Sequence, residues 1–384
     1  MTPAERLIAR QRALEAKGVD PSGFDAVFAY TNKPESFHAP DGCPSFPLDD
    51  EPHIDVWEGY AREASRGGAL NALQRHFAQM RFPIRLGMSQ EPAYLDATRK
   101  GKREPPDAAG SGPTFVRADS LDLRVYETIA GRVPILVAGH RRDFVTLVQA
   151  FTERNEPNDV PASMGACIVN GLNNWDRVAA YRVNWEAAHA DEARAGGWSG
   201  EFKRMAANKP LYQDRLIILS RGPYSAIDAR DVRMNEDDWL AKSLVIRREH
   251  ECAHYFTYRV FRSMRNNILD ELVADFVGLV RAFGGYRSDL ARLFLGLEAF
   301  PTIRAGSRIE VYRGDLSDAA LSTVAALAVD ATHNLQKVSD AMSDLADDLA
   351  ALARTIYALY SLTLEELAAP GMAALVSASG AAQA

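Results

Sequence analysis

Apolar positions at helical spacing dominate the second half of this chain. In the run Ile268–Phe283, Leu269, Leu272, Phe276, Val280 and Phe283 recur at steps of three and four, which predicts an amphipathic helix. The run before it, LAKSLVIRREHECAHYFTYRVF, also reads as helix, and Asn266-Asn267 between the two suits a turn and a helix start. From Leu321 to Leu359 the apolar residues alternate steps of three and four with no Gly or Pro. That heptad pattern predicts a long helix or a helical hairpin packed along one seam. Its Ala and Val positions favour packing within the same chain over a two-chain zipper.

The first half is more broken. Residues 3–17 and 56–80 have helical patterning, and 18–55, rich in Pro, Gly, Asp and aromatics, read as irregular. The segment 98–113 reads as a loop or linker. LDLRVYE (121–127), VPILVAG (133–139) and RLIILS (215–220) predict strands, and FVTLVQAF (144–151) a helix. PASMGACIVNGLNNWDR (161–177), full of small and turn-forming residues, predicts a packed loop. The divisions suggested are a mixed helical and irregular region 1–110, an α/β region 111–205, a core 206–300, a helical segment 301–370 and a disordered tail 371–384.

Composition narrows the class. The 384 residues are 47% hydrophobic and 25% charged, with ample length for a core. A net charge of −7, with both signs mixed throughout, points away from a nucleic-acid surface. The three cysteines, Cys43, Cys167 and Cys252, are far apart and suggest a reducing compartment. The charged N-terminal stretch lacks the apolar core of a signal peptide, and no run of about 18 apolar residues occurs, so the cytoplasm is the expected location, with no membrane.

The chemistry concentrates in His250-Glu251-Cys252-Ala253-His254, an H-E-x-x-H element on a predicted helix. Positions four apart share a helix face, so both imidazoles can reach one metal ion. Glu251 stands beside them, where a carboxylate can take a proton from water at the metal. A third ligand is offered by Glu271 on the next helix, with Asp275 four residues on and the small residues Ala274 and Gly278 allowing close approach. Two His and one Glu with an open fourth position is the donor set of a catalytic zinc site. Asp270 is the rival third ligand.

With these residues in place, the stretch from about 240 to 285 resembles the gluzincin group of zinc metallopeptidases, which carry H-E-x-x-H on one helix and E-x-x-x-D on the next. The resemblance implies that His250, His254 and Glu271 bind zinc and that Glu251 is the general base. It also implies that Asp275 holds a ligand imidazole in its metal-binding tautomer. Arg248 departs from the pattern, which usually has an uncharged residue there. The expected fold is α+β: a zincin-like metalloprotease core between a mixed α/β N-terminal region and a long helical C-terminal segment. In zincin-like folds the strand before the motif helix forms a cleft edge. RLIILS is the candidate, an ordinary core strand being the other reading.

The expected function is zinc-dependent cleavage of peptide or protein amide bonds by a monomer or weak homo-oligomer. Two alternatives stand: a catalytically inert zincin-fold interaction protein, and a di-iron carboxylate oxidoreductase built from Glu251, His254, Glu271, Asp330 and His333. Tyr258, Tyr224 and Tyr286 are candidates to stabilise an oxyanion. Cys252 points away from the His face and is expected to be a buried small hydrophobe, and His140 to belong to a turn.

Overall fold

The computed structural model describes residues 3–33, 43–102, 112–263, 267–342, 344–372 and 376. The architecture is α+β. In chain order it runs α1 (Pro3–Glu15), α2 (Phe24–Thr31), α3 (Ile54–Gly67), α4 (Ala69–His76), α5 (Pro92–Lys100), β1 (Asp122–Thr128), β2 (Gly131–Ala138), α6 (Arg141–Phe151) and β3 (Ala166–Asn173). It continues with α7 (Trp175–Ala188), α8 (Ala190–Arg194), α9 (Trp198–Ala207), β4 (Gln213–Ser220), α10 (Glu236–Phe261), α11 (Ile268–Phe283) and α12 (Ser288–Leu295). The last helices are α13 (Arg308–Val311), α14 (Asp318–Asp340), α15 (Leu349–Tyr360) and α16 (Leu364–Ala368). Among the described residues no helix is long and apolar enough to cross a membrane.

Two compact units emerge, each discontinuous in sequence. One comprises Asp49–Glu127 and Gly131–Gly222, the other Met1–Leu48, Thr128–Ala130 and Pro223–Ala384. The first unit holds the sheet, ordered β1-β2-β4-β3. β4 pairs parallel with β2 (Ile135 opposite Ile217) and antiparallel with β3 (Ile168 opposite Ile217). Leu216 to Leu219 are fully buried, as a continuous apolar run requires when both faces of a strand are covered. Both edges of β4 are therefore paired, and it is the core strand rather than a free cleft edge. The core of this unit joins Leu216 and Ile218 to Trp57, Phe77, Phe144 and Phe151.

The expected loop at 161–177 is instead β3 followed by the start of α7. Its Ala, Cys and Gly content hides the strand period, and pairing with β4 supplies what local propensity does not. A bulge falls between Asn170 and Leu172, where Gly171 takes φ 77°. Asn174 caps α7 by accepting the Asp176 and Arg177 amides. His140 likewise caps α6 through the Arg142 amide.

The second unit is helical around α10 and α11. α10 starts at Asn235, whose side chain accepts the Asp238 amide, with Glu236, Asp237 and Asp238 in the favourable first turn. It is buried nearly all round from Ser243 to Thr257, as an interior helix must be. α11 is capped by Asn267, which accepts the Leu269 and Asp270 amides, and closes at Gly284 in the left-handed region, φ 78°.

The two helices meet closely at Gly278. A Cβ there would lie 2.8 Å from the Ile246 carbonyl oxygen and 2.9 Å from its Cγ2. Gly278→Val is therefore expected to destabilise the metal-free protein by about 2–3 kcal/mol through overpacking. Urea denaturation checks this, and parent-like stability would show that the helices have room to spare.

Three expectations about the remaining helices are corrected. Residues 18–55 contain α2, because Pro21 and Gly23, which suggest irregular chain, lie in a short 3-10 turn that leads into it. The heptad stripe does not form one seam: α14 ends at Asp340, Asp344 takes φ 62°, and Asp348 caps α15. Both helices pack on α11 instead. Of the loop expected at 98–113, residues 98–100 end α5, and 103–111 lie outside the described residues, as does most of the tail 371–384.

Candidate metal centre

His250, His254 and Glu271 form a buried group whose donor atoms converge, and this group could hold a metal ion. The His250 and His254 Nε2 atoms are 3.0 Å apart. Glu271 places Oε2 3.6 Å from the first and Oε1 3.4 Å from the second. Ligand atoms about 2.0–2.2 Å from a tetrahedral zinc ion lie about 3.3–3.5 Å apart; here one Glu271 oxygen faces each imidazole, and one donor atom from each of the three residues can be chosen with all within 4.8 Å of one another. Asp270, the rival ligand, is buried one residue before Glu271 and is not part of the group.

Behind the triangle stands Asp275. Its Oδ1 is 2.9 Å from His250 Nδ1 and accepts the Tyr224 hydroxyl at 2.6 Å. A proton held on Nδ1 by that carboxylate leaves Nε2 free to face a metal. His254 then donates from Nε2 to His250 in the metal-free arrangement. Burial lowers its basicity, but the hydrogen bond and charge of Glu271, with Glu251 and Asp270, outweigh this and lift its pKa to about 9. Burial also opposes ionisation of Glu271 and Asp275. Arg308 overcomes it at both, with the two imidazoles at Glu271 and with His250 and the Tyr224 hydroxyl at Asp275, so that Glu271 is held well below the usual carboxylate range and Asp275 is lowered.

Glu251 is half-buried one step round the helix, and its charge acts on His254 and on Tyr312. Cys252 is fully buried and its thiol is pushed well up by burial, as a small hydrophobe requires. The charges that depart from the usual motif are paired: Arg248 donates to Glu249 at 2.7 Å, and Arg247 to the Pro223 carbonyl at 3.0 Å.

Two residues at the centre are not singled out by the sequence. Arg308 donates to Glu271 Oε2 at 2.5 Å and pairs with Asp275 at 3.1 Å. The Tyr312 hydroxyl bonds Glu271 and is pushed up chiefly by burial. The only sequence signal is their spacing: four apart around the single turn of α13, they share a face. Of the tyrosines considered above, Tyr224 lies behind His250, Tyr258 is exposed, and Tyr286 is fully buried.

The dinuclear alternative does not assemble. Asp330 pairs with Lys17 at 2.5 Å, and His333 is exposed, apart from the His250 group.

The chain matches a family model described as a family of unknown function, DUF7005, over residues 12–371. The chain belongs to the DUF7005 family. The matched span contains every residue of the centre, from Tyr224 to Tyr312, so the centre is part of the DUF7005 region. No curated protein and no solved structure matches the chain.

Proposed function

We propose that this protein is a zinc-dependent hydrolase of gluzincin type, cleaving peptide or protein amide bonds. The observation that carries the reading is the triangle of His250, His254 and Glu271 donor atoms, with His250 held from behind by Asp275. Two nitrogens and one carboxylate oxygen suit zinc and leave a fourth position open. A buried set of two carboxylates and two imidazoles, with a half-buried guanidinium beside it, is also costly to assemble for packing alone.

Bound there, zinc would supply a Lewis acid and bring water within reach of ionisation near neutral pH. The chain's own residues do the rest. Asp275 fixes the His250 tautomer. Glu251 accepts a proton from the attacking water and returns it to the leaving amine. The Tyr312 hydroxyl bonds Glu271 and helps hold that carboxylate in place. Chelation followed by zinc return tests the reading: activity on a peptide library should vanish and recover.

The pH dependence of metal uptake follows from His254. With its pKa raised to about 9, it carries a proton at neutral pH that a metal must displace. Apparent zinc affinity is therefore expected to rise about tenfold per pH unit below about pH 9 and to level off above it. Competition titrations with a chelator of known affinity at several pH values measure this. A flat profile would show that no ligand proton is displaced.

A further inference from the structure

Arg308 is the one cation at the centre besides the imidazoles among the described residues, and its guanidinium forks. Nη2 bonds Glu271 Oε2 at 2.5 Å and Asp275 Oδ1 at 3.2 Å, while Nη1 reaches Asp275 Oδ2 at 3.1 Å and donates to the Tyr224 hydroxyl at 3.2 Å. One side chain thus ties the proposed ligand carboxylate to the carboxylate that orients His250. Its own place is set by the chain just before it. Gly296, at φ 80°, ends α12, and a Cβ there would lie 2.2 Å from Ser307 Cβ, so only glycine lets Ser307 and Arg308 fold back this close.

A carboxylate can bind a metal through one oxygen or both, and the choice sets how many positions remain for water and substrate. Here the two oxygens of Glu271 are not equivalent. Oε2, which faces His250 Nε2 at 3.6 Å, accepts a short charge-assisted bond from Arg308, whereas Oε1, which faces His254 Nε2 at 3.4 Å, has no bond to that guanidinium. We infer that Arg308 is a positioning residue that holds Glu271 to one-oxygen coordination and so keeps a position of the metal open for the reacting water. This rests on the proposed metal centre and goes beyond it, since a bidentate Glu271 would bind metal just as surely while closing the site. The role needs the planar fork. A lysine ammonium supplies charge but cannot span Glu271 and Asp275 with fixed geometry.

The test uses the full chain loaded with cobalt(II), read by X-ray absorption and by visible d–d absorption, neither of which depends on turnover. The parent is expected to bind one cobalt per chain in a four-coordinate site, with two nitrogens and one oxygen from the protein. Arg308→Met frees Oε2 and is expected to gain one oxygen neighbour at about 2.0–2.2 Å, with a weaker d–d band. Arg308→Lys keeps the charge, loses the fork and is expected to show the same gain. It carries the test where Arg308→Met does not fold. A loaded variant with the parent's coordination number and spectrum would overturn this inference and leave the metal centre standing. A parent that binds no cobalt would overturn both.

Discussion

Glu251→Gln is expected to fold and to bind zinc like the parent, and to lose hydrolysis by a factor of at least about 10²–10⁴. The argument is positional. Glu251 adjoins the proposed ligand His250 but is turned about 100° around α10, so it sits beside the proposed metal position without belonging to the converging donor group. It is half-buried, unlike the ligands, and its charge is felt at His254 and Tyr312. Glutamine keeps the shape and one acceptor oxygen but cannot take up a proton. Turnover of a broad peptide library and of a whole-proteome digest, with zinc content measured alongside, separates the outcomes. Parent-level turnover in Glu251→Gln would remove this residue from the mechanism. A zinc-loaded parent that cleaves nothing in either assay would make the inert interaction protein the better reading.

Removing a ligand is expected to have the other large effect. His250→Ala, His254→Ala and Glu271→Gln should each lose most bound zinc on dialysis, whereas Asp270→Asn should keep it, because Asp270 lies outside the converging group. Glutamine is chosen at 271 because it keeps the shape of the side chain and an acceptor oxygen for Arg308, which truncation would remove. Asp275→Asn should weaken zinc affinity by about 10–100-fold without abolishing it, since it orients His250 and does not itself reach the metal position. Zinc retained in Glu271→Gln and lost in Asp270→Asn would reverse the ligand assignment.

How much of this was legible in the sequence differs from part to part. The helix pair was, because its apolar stripe and its Asn267 start act locally, and α11 spans the residues its stripe marks. The convergence of His250, His254 and Glu271 was also legible: i,i+4 spacing fixes one helix face, and Gly278 signals a close neighbour. β3 was not, since its partner strand lies some 50 residues on and its own residues favour turns. That the heptad segment could be two helices was legible, but the place of the break between α14 and α15 was not, because apolar periodicity continues through it and the sign of a new helix is a single capping Asp348. Arg308 and Tyr312 were missed for a different reason. They reach the centre by a chain reversal after α12 that depends on Gly296, and no spacing relative to the motif records it.

The most direct test of the central claim is anomalous diffraction at the zinc edge from crystals of the full chain grown with zinc. The expected result is one strong peak about 2.0–2.2 Å from His250 Nε2, His254 Nε2 and one oxygen of Glu271. A well-ordered centre with no peak at that point, or zinc held only by other residues, would contradict it.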